Sequence, residues 1–280
     1  MLQITALMDD LESENKALIH EHGLSFLVEK GNTRFLFDCG SGEHVWYNAH
    51  RLGKCVSDPD AVILSHSHYD HAAGYRDLVE QGDGGRVLYT GPHFFEPKYA
   101  RMEACYTDLS AGFDAEFLQG HGIEHRVSEE VTRIMPGVWL VGAFPRVYGE
   151  EQIPERFVKL TEEEGSFTMT QDLFEDEICL ALETQKGLVV LVGCSHPGIL
   201  NMIKKVHEAL QLPVYAVFGG THLVEADEAR IRKTARELKA MGLHVLGFSH
   251  CSGSLAEEII KQDAEVQCCH MAVGDSVFFT

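Results

Sequence analysis

The sequence predicts a mixed α/β fold whose functional site lies where strands end. Two observations carry this. Four apolar runs finish in histidine: VILSHSH, LVVLVGCSH, VYAVFGGTH and VLGFSH. Helical patterns separate the last three runs, as in crossovers between neighbouring strands, and in such folds ligands gather outside strand ends. His66, His68, His71, His196, His222 and His250 can therefore converge from distant parts of the chain.

Taken in order, LQITALMDD is an apolar run closed by two acidic residues. GLSFLVEKGNTRFLFDCG places two short apolar runs around Gly31-Asn32, a hairpin signal. WYNAHRLG begins a helix, AVILSHSHYDH follows as a strand with its histidine cluster, and RDLVEQG reads as a short helix before the strand RVLYTG. From about 95 to 171 the pattern loses its period, with VWLVGAF the one clear strand. This span reads as an inserted, lid-like segment of a single domain covering 1–280, and EEEG within it as solvated loop. ICLALETQKGLVVLVGCSH then gives strand, turn, strand. ILNMIKKVHEALQL has the 3.6-residue spacing of an amphipathic helix. VYAVFGGTHL, a helix over DEARIRKTARELKAMG, VLGFSHCSG, a short helix LAEEIIKQ and VQCCHMAVGDSVFF complete the chain.

The 280 residues carry a formal net charge of −20. Such a field repels phosphate backbones and anionic lipid, so neither nucleic acid nor membrane is expected as a partner. A small-molecule substrate is expected, an anionic one included, because bound divalent ions supply local positive charge. A homo-oligomer is compatible with the sequence. No apolar run reaches membrane-spanning length, and the acidic start lacks a signal-peptide pattern. The expectation is a cytoplasmic protein. Eight cysteines are scattered without a disulfide framework or zinc-ribbon spacing, and most are expected as buried small hydrophobes.

HSHYDH puts four ligand-type side chains into six positions. His66 and His68 are two apart, so an extended segment points both to one side. Asp70 and His71 lie beyond, where the chain can turn back. One pair can hold one ion and the other pair a second. Imidazole and carboxylate suit Zn best, with Fe, Mn or Co as alternatives.

The motif resembles the His-x-His-x-Asp-His signature of the metallo-β-lactamase-fold hydrolases. That resemblance implies a four-layer αββα sandwich with a dinuclear site. EHGLSFLVE, FDCGSG, LSHSHYDHAAG, GCSHPGILNMI, GGTHL and SHCSG resemble, in order, segments of one branch. Its members are labelled 7,8-dihydropterin-6-methyl-4-(β-D-ribofuranosyl)-aminobenzene-5′-phosphate synthase-like. The likeness spans about 21 to 253, and FPRVYGEEQIPERF matches the branch more loosely. It implies that His66, His68, Asp70 and His71 are metal ligands and that His250 completes the second ion's set. His196 occupies the strand where many relatives have a bridging Asp. With no carboxylate there, His196 is expected to complete the first ion's set, and Cys194 is either a ligand or a small buried residue. Asp38 sits where the fold uses a carboxylate beneath the metals to orient a ligand histidine; the other reading is a turn Asp before Gly40.

Asp70 and His222 are the catalytic candidates, with His222 expected to contact substrate or move a proton rather than bind metal. His22, Arg146 and Arg156 are candidate substrate-binding residues; a turn histidine and a charged lid surface are the plainer readings. Pro197-Gly198 precede a helix whose N-terminus could receive an anion. The other histidines, His93, His125 and His270 among them, read as surface residues. The expected activity is a dinuclear metal-dependent hydrolase using a metal-bridging hydroxide on an ester, phosphoester or lactone-like small molecule. One alternative is a synthase that condenses a phosphoribosyl and an aminobenzoate- or pterin-type substrate. The other is a non-catalytic metal-dependent sensor.

Overall fold

Period-two alternation divides each central strand between two cores. Phe26, Val28, Phe35 and Phe37 face one, while Leu27 and Leu36 face another. The computed structural model describes residues 1–163, 165–262 and 266–280. The chain opens with β1 (Leu2–Met8), β2 (Ser25–Lys30), β3 (Thr33–Phe37), α1 (His44–Arg51), β4 (Ala61–Ile63), α2 (Tyr69–Ala72), α3 (Gly74–Glu80) and β5 (Val87–Thr90). Then follow β6 (Lys98–Met102), β7 (Cys105–Asp108), α4 (Ala115–Gly120), β8 (Glu124–Val127), β9 (Val131–Met135), β10 (Val138–Val141), β11 (Phe157–Glu163) and β12 (Ser166–Gln171). The last part holds β13 (Cys179–Thr184), β14 (Gly187–Val192), α5 (Ile199–Leu210), β15 (Val214–Gly219), α6 (Glu228–Ala240), β16 (Val245–Phe248), α7 (Ser254–Gln262), β17 (Gln267–His270) and β18 (Ser276–Phe279).

Two seven-stranded sheets form, in the orders β18-β1-β2-β3-β4-β5-β8 and β17-β16-β15-β14-β13-β10-β9. Their inner faces share a core that includes Ile4, Phe26, Phe37, Ile63, Leu140, Leu180, Leu191 and Phe218. On one outer face Val45, Ala49, Tyr75 and Leu78 from α1 and α3 cover Leu36, Val62 and Leu88. On the other, Ile203, Val206, Ile231, Leu238 and Ile259 from α5, α6 and α7 cover Val190, Val192 and Val217. Helix, sheet, sheet and helix are thus stacked as four layers, as expected. β3, β4 and β5 run parallel in one sheet. β14, β15 and β16 run parallel in the other. Their C-terminal ends meet at one rim. Among the described residues, no helix is long and apolar enough to cross a membrane.

The span from 95 to 171 is more regular than its sequence suggested. It supplies β8, β9 and β10 to the two large sheets and a separate four-stranded sheet in the order β12-β11-β6-β7. All six residues of β12 are exposed, Phe167 and Met169 included, so no buried face marks it. Glu162 and Glu163 of the expected EEEG loop instead end β11, and Glu164 lies outside the described residues. β4 is only three residues long. His66 and His68 therefore lie in the loop before α2, and loop geometry rather than strand pleat sets their direction. All eight cysteines are free, and only Cys39, Cys179 and Cys194 are buried, fewer than expected.

Candidate metal centre

The chain turns sharply where strands reach this rim. Asp38 after β3, Ser195 after β14, His222 after β15 and His250 after β16 all have positive φ, at 57°, 60°, 47° and 49°. Left-handed backbone at non-glycine residues costs roughly 1–3 kcal/mol each. One fully buried Leu or Phe side chain contributes roughly 1.5–3 kcal/mol, so the adjacent cores hold these corners in place. Gly193 brings the two sheets together here. A Cβ on it would stand 2.1 Å from Ser65 Oγ and 3.2 Å from His66 Nδ1.

The first group is His66, His68 and His196, with one ligand atom from each within 4.8 Å of the others. All three are buried, and His66 Nε2, His68 Nε2 and both ring nitrogens of His196 have no hydrogen-bond partner. Burial pushes all three imidazoles well below their ordinary pKa, with neighbouring histidines adding to it for His66 and His196. Neutral rings with orphaned buried nitrogens are costly unless something accepts their lone pairs. A metal ion does so, and the set fits one. His66 Nδ1 lies 2.9 Å from Ser65 Oγ, which donates to Asp38 Oδ2 at 2.8 Å. That chain leaves Nε2 as the free atom of His66. Phe174 stacks on His196, centroids 3.7 Å apart. Buried Glu177 accepts the backbone N–H groups of Ser195 and His196 at 2.6 and 2.9 Å, fixing the corner.

Asp70, His71 and His250 form the second group. His71 Nδ1 donates to Asp38 Oδ2 at 2.7 Å, a bond that fixes the orientation of the ring. Asp70 Oδ2 lies 3.1 Å from His250 Nε2 and 3.2 Å from His22 Nε2. Asp10 bridges behind, 2.6 Å from His250 Nδ1 and 2.8 Å from His22 Nδ1. Burial opposes charge on His250, yet its bonds to Asp10 and Asp70 hold it well above the ordinary imidazole range. Burial would likewise raise Asp70, but His71 and His250 hold it low. A metal ion here would displace the proton that His250 shares with Asp70 and take its Nε2 lone pair beside the Asp70 carboxylate.

The remaining candidates divide. His22 stands at the exposed edge of the second group, its ring 4.6 Å from His250. His222 faces His196 at 4.6 Å between centroids and belongs to neither group. Cys194 is buried, with Sγ 3.1 Å from His71 Nε2. Arg146 and Arg156 do not come together. Arg146 lines a cleft with His93, Leu173, Phe174 and Pro197 and donates to the Leu173 carbonyl at 2.5 Å. Arg156 is forked onto Glu225, just after His222, and lies over the Phe157 ring. It is therefore not a free anion clamp. The N-terminus of α5 is also taken: Glu151 accepts from Leu200 and Asn201 N–H at 2.9 Å each. Its anion is the chain's own carboxylate.

Sequence reasoning missed Asp10, Glu177 and a buried cluster beneath the first group. Lys98 Nζ lies 2.5 Å from Asp176 and 3.2 Å from Asp172. Asp176 in turn accepts the Ser67 N–H at 2.9 Å, between the two histidines. The Asp9-Asp10 pair closing the first apolar run was the one available signal.

An αββα sandwich with two buried histidine-rich groups at its strand ends is an enzyme-type fold with a site suited to metal ions. The chain belongs to the metallo-beta-lactamase superfamily. That family's sequence pattern matches residues 20–127. Over 275 residues the chain is 32% identical to the 7,8-dihydropterin-6-methyl-4-(beta-D-ribofuranosyl)-aminobenzene-5'-phosphate synthase of Methanocaldococcus jannaschii, covering 94% of this chain and 91% of the relative. Tm1679, a crystal structure described as a metal-dependent hydrolase of the beta-lactamase superfamily, superposes with a TM-score of 0.84 at 28% identity over the whole of both chains. YhfI from Bacillus subtilis shares the fold, with a TM-score of 0.60 at 14% identity, covering 99% of this chain and all of YhfI.

Proposed function

We propose that this protein is a hydrolase dependent on two divalent metal ions, acting on an ester, phosphoester or lactone-like small molecule. The observation that carries this is the orphaned nitrogens of His66, His68 and His196 beside the Asp70, His71 and His250 group. The first three residues would hold one ion and the second three the other, zinc most suitably, with iron, manganese or cobalt as alternatives. Bound there, the ions supply Lewis acidity, acidifying water and polarising a substrate oxygen.

The chain's own side chains do the rest. Asp38 and Asp10 fix the rings of His71 and His250 by accepting hydrogen bonds from their Nδ1–H groups. Phe157 and Phe174 wall the first group, 5.4 and 5.1 Å from His68, and limit water. His222, a ring outside both groups beside His196, would give a proton to a leaving group. His22 at the edge, and Arg146 in the adjoining cleft, would hold the polar or anionic end of the substrate. The small sheet β12-β11-β6-β7 is the lid, reaching the site through Phe157. Eight unpaired cysteines support a reducing, cytoplasmic setting.

A second reading is favoured by the likeness to the methanogen synthase: condensation of a phosphoribosyl compound with an aminobenzoate- or pterin-type molecule. Metal-loaded protein should be assayed on carboxylester, phosphoester and lactone panels, and on a phosphoribosyl donor with an aminobenzoate, with products read by mass spectrometry. Hydrolysis products support the first reading. A condensed product without hydrolysis supports the second. No turnover with metals bound contradicts both.

A further inference from the structure

We propose that Cys194 is a thiolate ligand shared by the two ion positions. The inference rests on the two-ion reading above and concerns how the two positions are joined.

Cys194 is not placed like a packing residue. Cys39 and Cys179, equally buried, belong to apolar cores, among residues such as Val45 and Val190. Cys194 belongs to none of the apolar cores. Its Sγ lies within 4.8 Å of ligand atoms of His66 and His71, and likewise of His250 and Cys251. It therefore touches the first group through His66 and the second through His71 and His250. His66 and His71 also lie within 4.8 Å of each other, so these two rings and the Cys194 sulfur form one compact junction between the two groups.

The distance to His71 is informative. Its Nδ1–H donates to Asp38, so Nε2 presents a lone pair, and Cys194 Sγ stands 3.1 Å from it. Without an ion the thiol donates to that nitrogen. Two ligand atoms on one tetrahedral zinc, at ordinary Zn–N and Zn–S lengths, stand about 3.5 Å apart. Coordination breaks the S–H bond, releases the proton to solvent and forms the sulfur–metal bond, with no change of oxidation state. Charge points the same way. Among the six candidate ligands only Asp70 is anionic, against two divalent ions. A thiolate adds a second negative charge at the place where both positions meet.

The test is reconstitution with cobalt(II), read by elemental analysis and by the sulfur-to-cobalt charge-transfer band in the near ultraviolet. Wild-type protein and the Cys251→Ser variant should show the band. Cys194→Ser should lack it and bind at least one ion more than about 10-fold more weakly. Cys194→Asp, which keeps an anionic bridge, should hold two ions without the band, and circular dichroism checks that each variant is folded. A band that survives in Cys194→Ser overturns the proposal, as does one lost only in Cys251→Ser. Wild-type protein holding two cobalt ions with no band overturns the sulfur assignment alone. Wild-type protein that binds no cobalt overturns the ion reading and this proposal with it.

Discussion

Asp10 Oδ1 lies 2.6 Å from His250 Nδ1, across 240 residues of sequence. A carboxylate behind an imidazole fixes its tautomer and raises its strength as a ligand. Asp10 does for His250 what Asp38 does for His71. Asp10→Asn should weaken the second ion by roughly 10–100-fold and leave the first in place. Competitive metal titration reads this directly, and unchanged affinity at both positions would contradict the role.

His222 faces His196 but stands outside both groups. His222→Ala should retain both ions and lose turnover by roughly 10²–10⁴-fold. Loss of an ion would make it a ligand. Normal turnover with normal metal content would leave it without a part in the reaction.

Phe157 connects the small sheet to the site, 5.1 Å from His196 and 6.0 Å from His222. Phe157→Ala should change KM, or the order of preferred substrates, by several-fold while metal content holds. Unchanged kinetics across several substrates would remove the small sheet from substrate selection.

His270 carries a pH-dependent part of the stability. Burial would lower it, but Asp9 and Glu257 together push its pKa up to about 9 from an ordinary 6.5. A raised imidazole stabilises the folded state fully below the unfolded value and loses that contribution as pH rises through the folded one. In chelator-treated protein, Tm should fall between pH 6.5 and 9 more steeply in wild type than in His270→Gln. Parallel curves would show that the pairing adds nothing to stability.

These residues mark what the sequence could and could not reveal. His66 to His71 are legible because their spacing is local, and His196 and His250 because each ends an apolar run before a crossover. His270 read as a surface residue, yet it spans Asp9 and Glu257. Asp10 is a single carboxylate whose partners lie far along the chain, so no local pattern contains it. Lys98 sits in the span where the sequence pattern loses its period, while the fold buries it with Asp172 and Asp176. Arg156 reads as a free cation, and only the folded chain shows Glu225 against it. β12 escaped notice because both of its faces are exposed.

The central claim is that two ions sit in two defined groups, and elemental analysis of protein purified without added metal tests it most directly. Wild-type protein should carry about two divalent ions per chain. His66→Ala should lose the ion of the His66, His68 and His196 group and keep the other. A His66→Ala protein with the full wild-type complement would contradict the account.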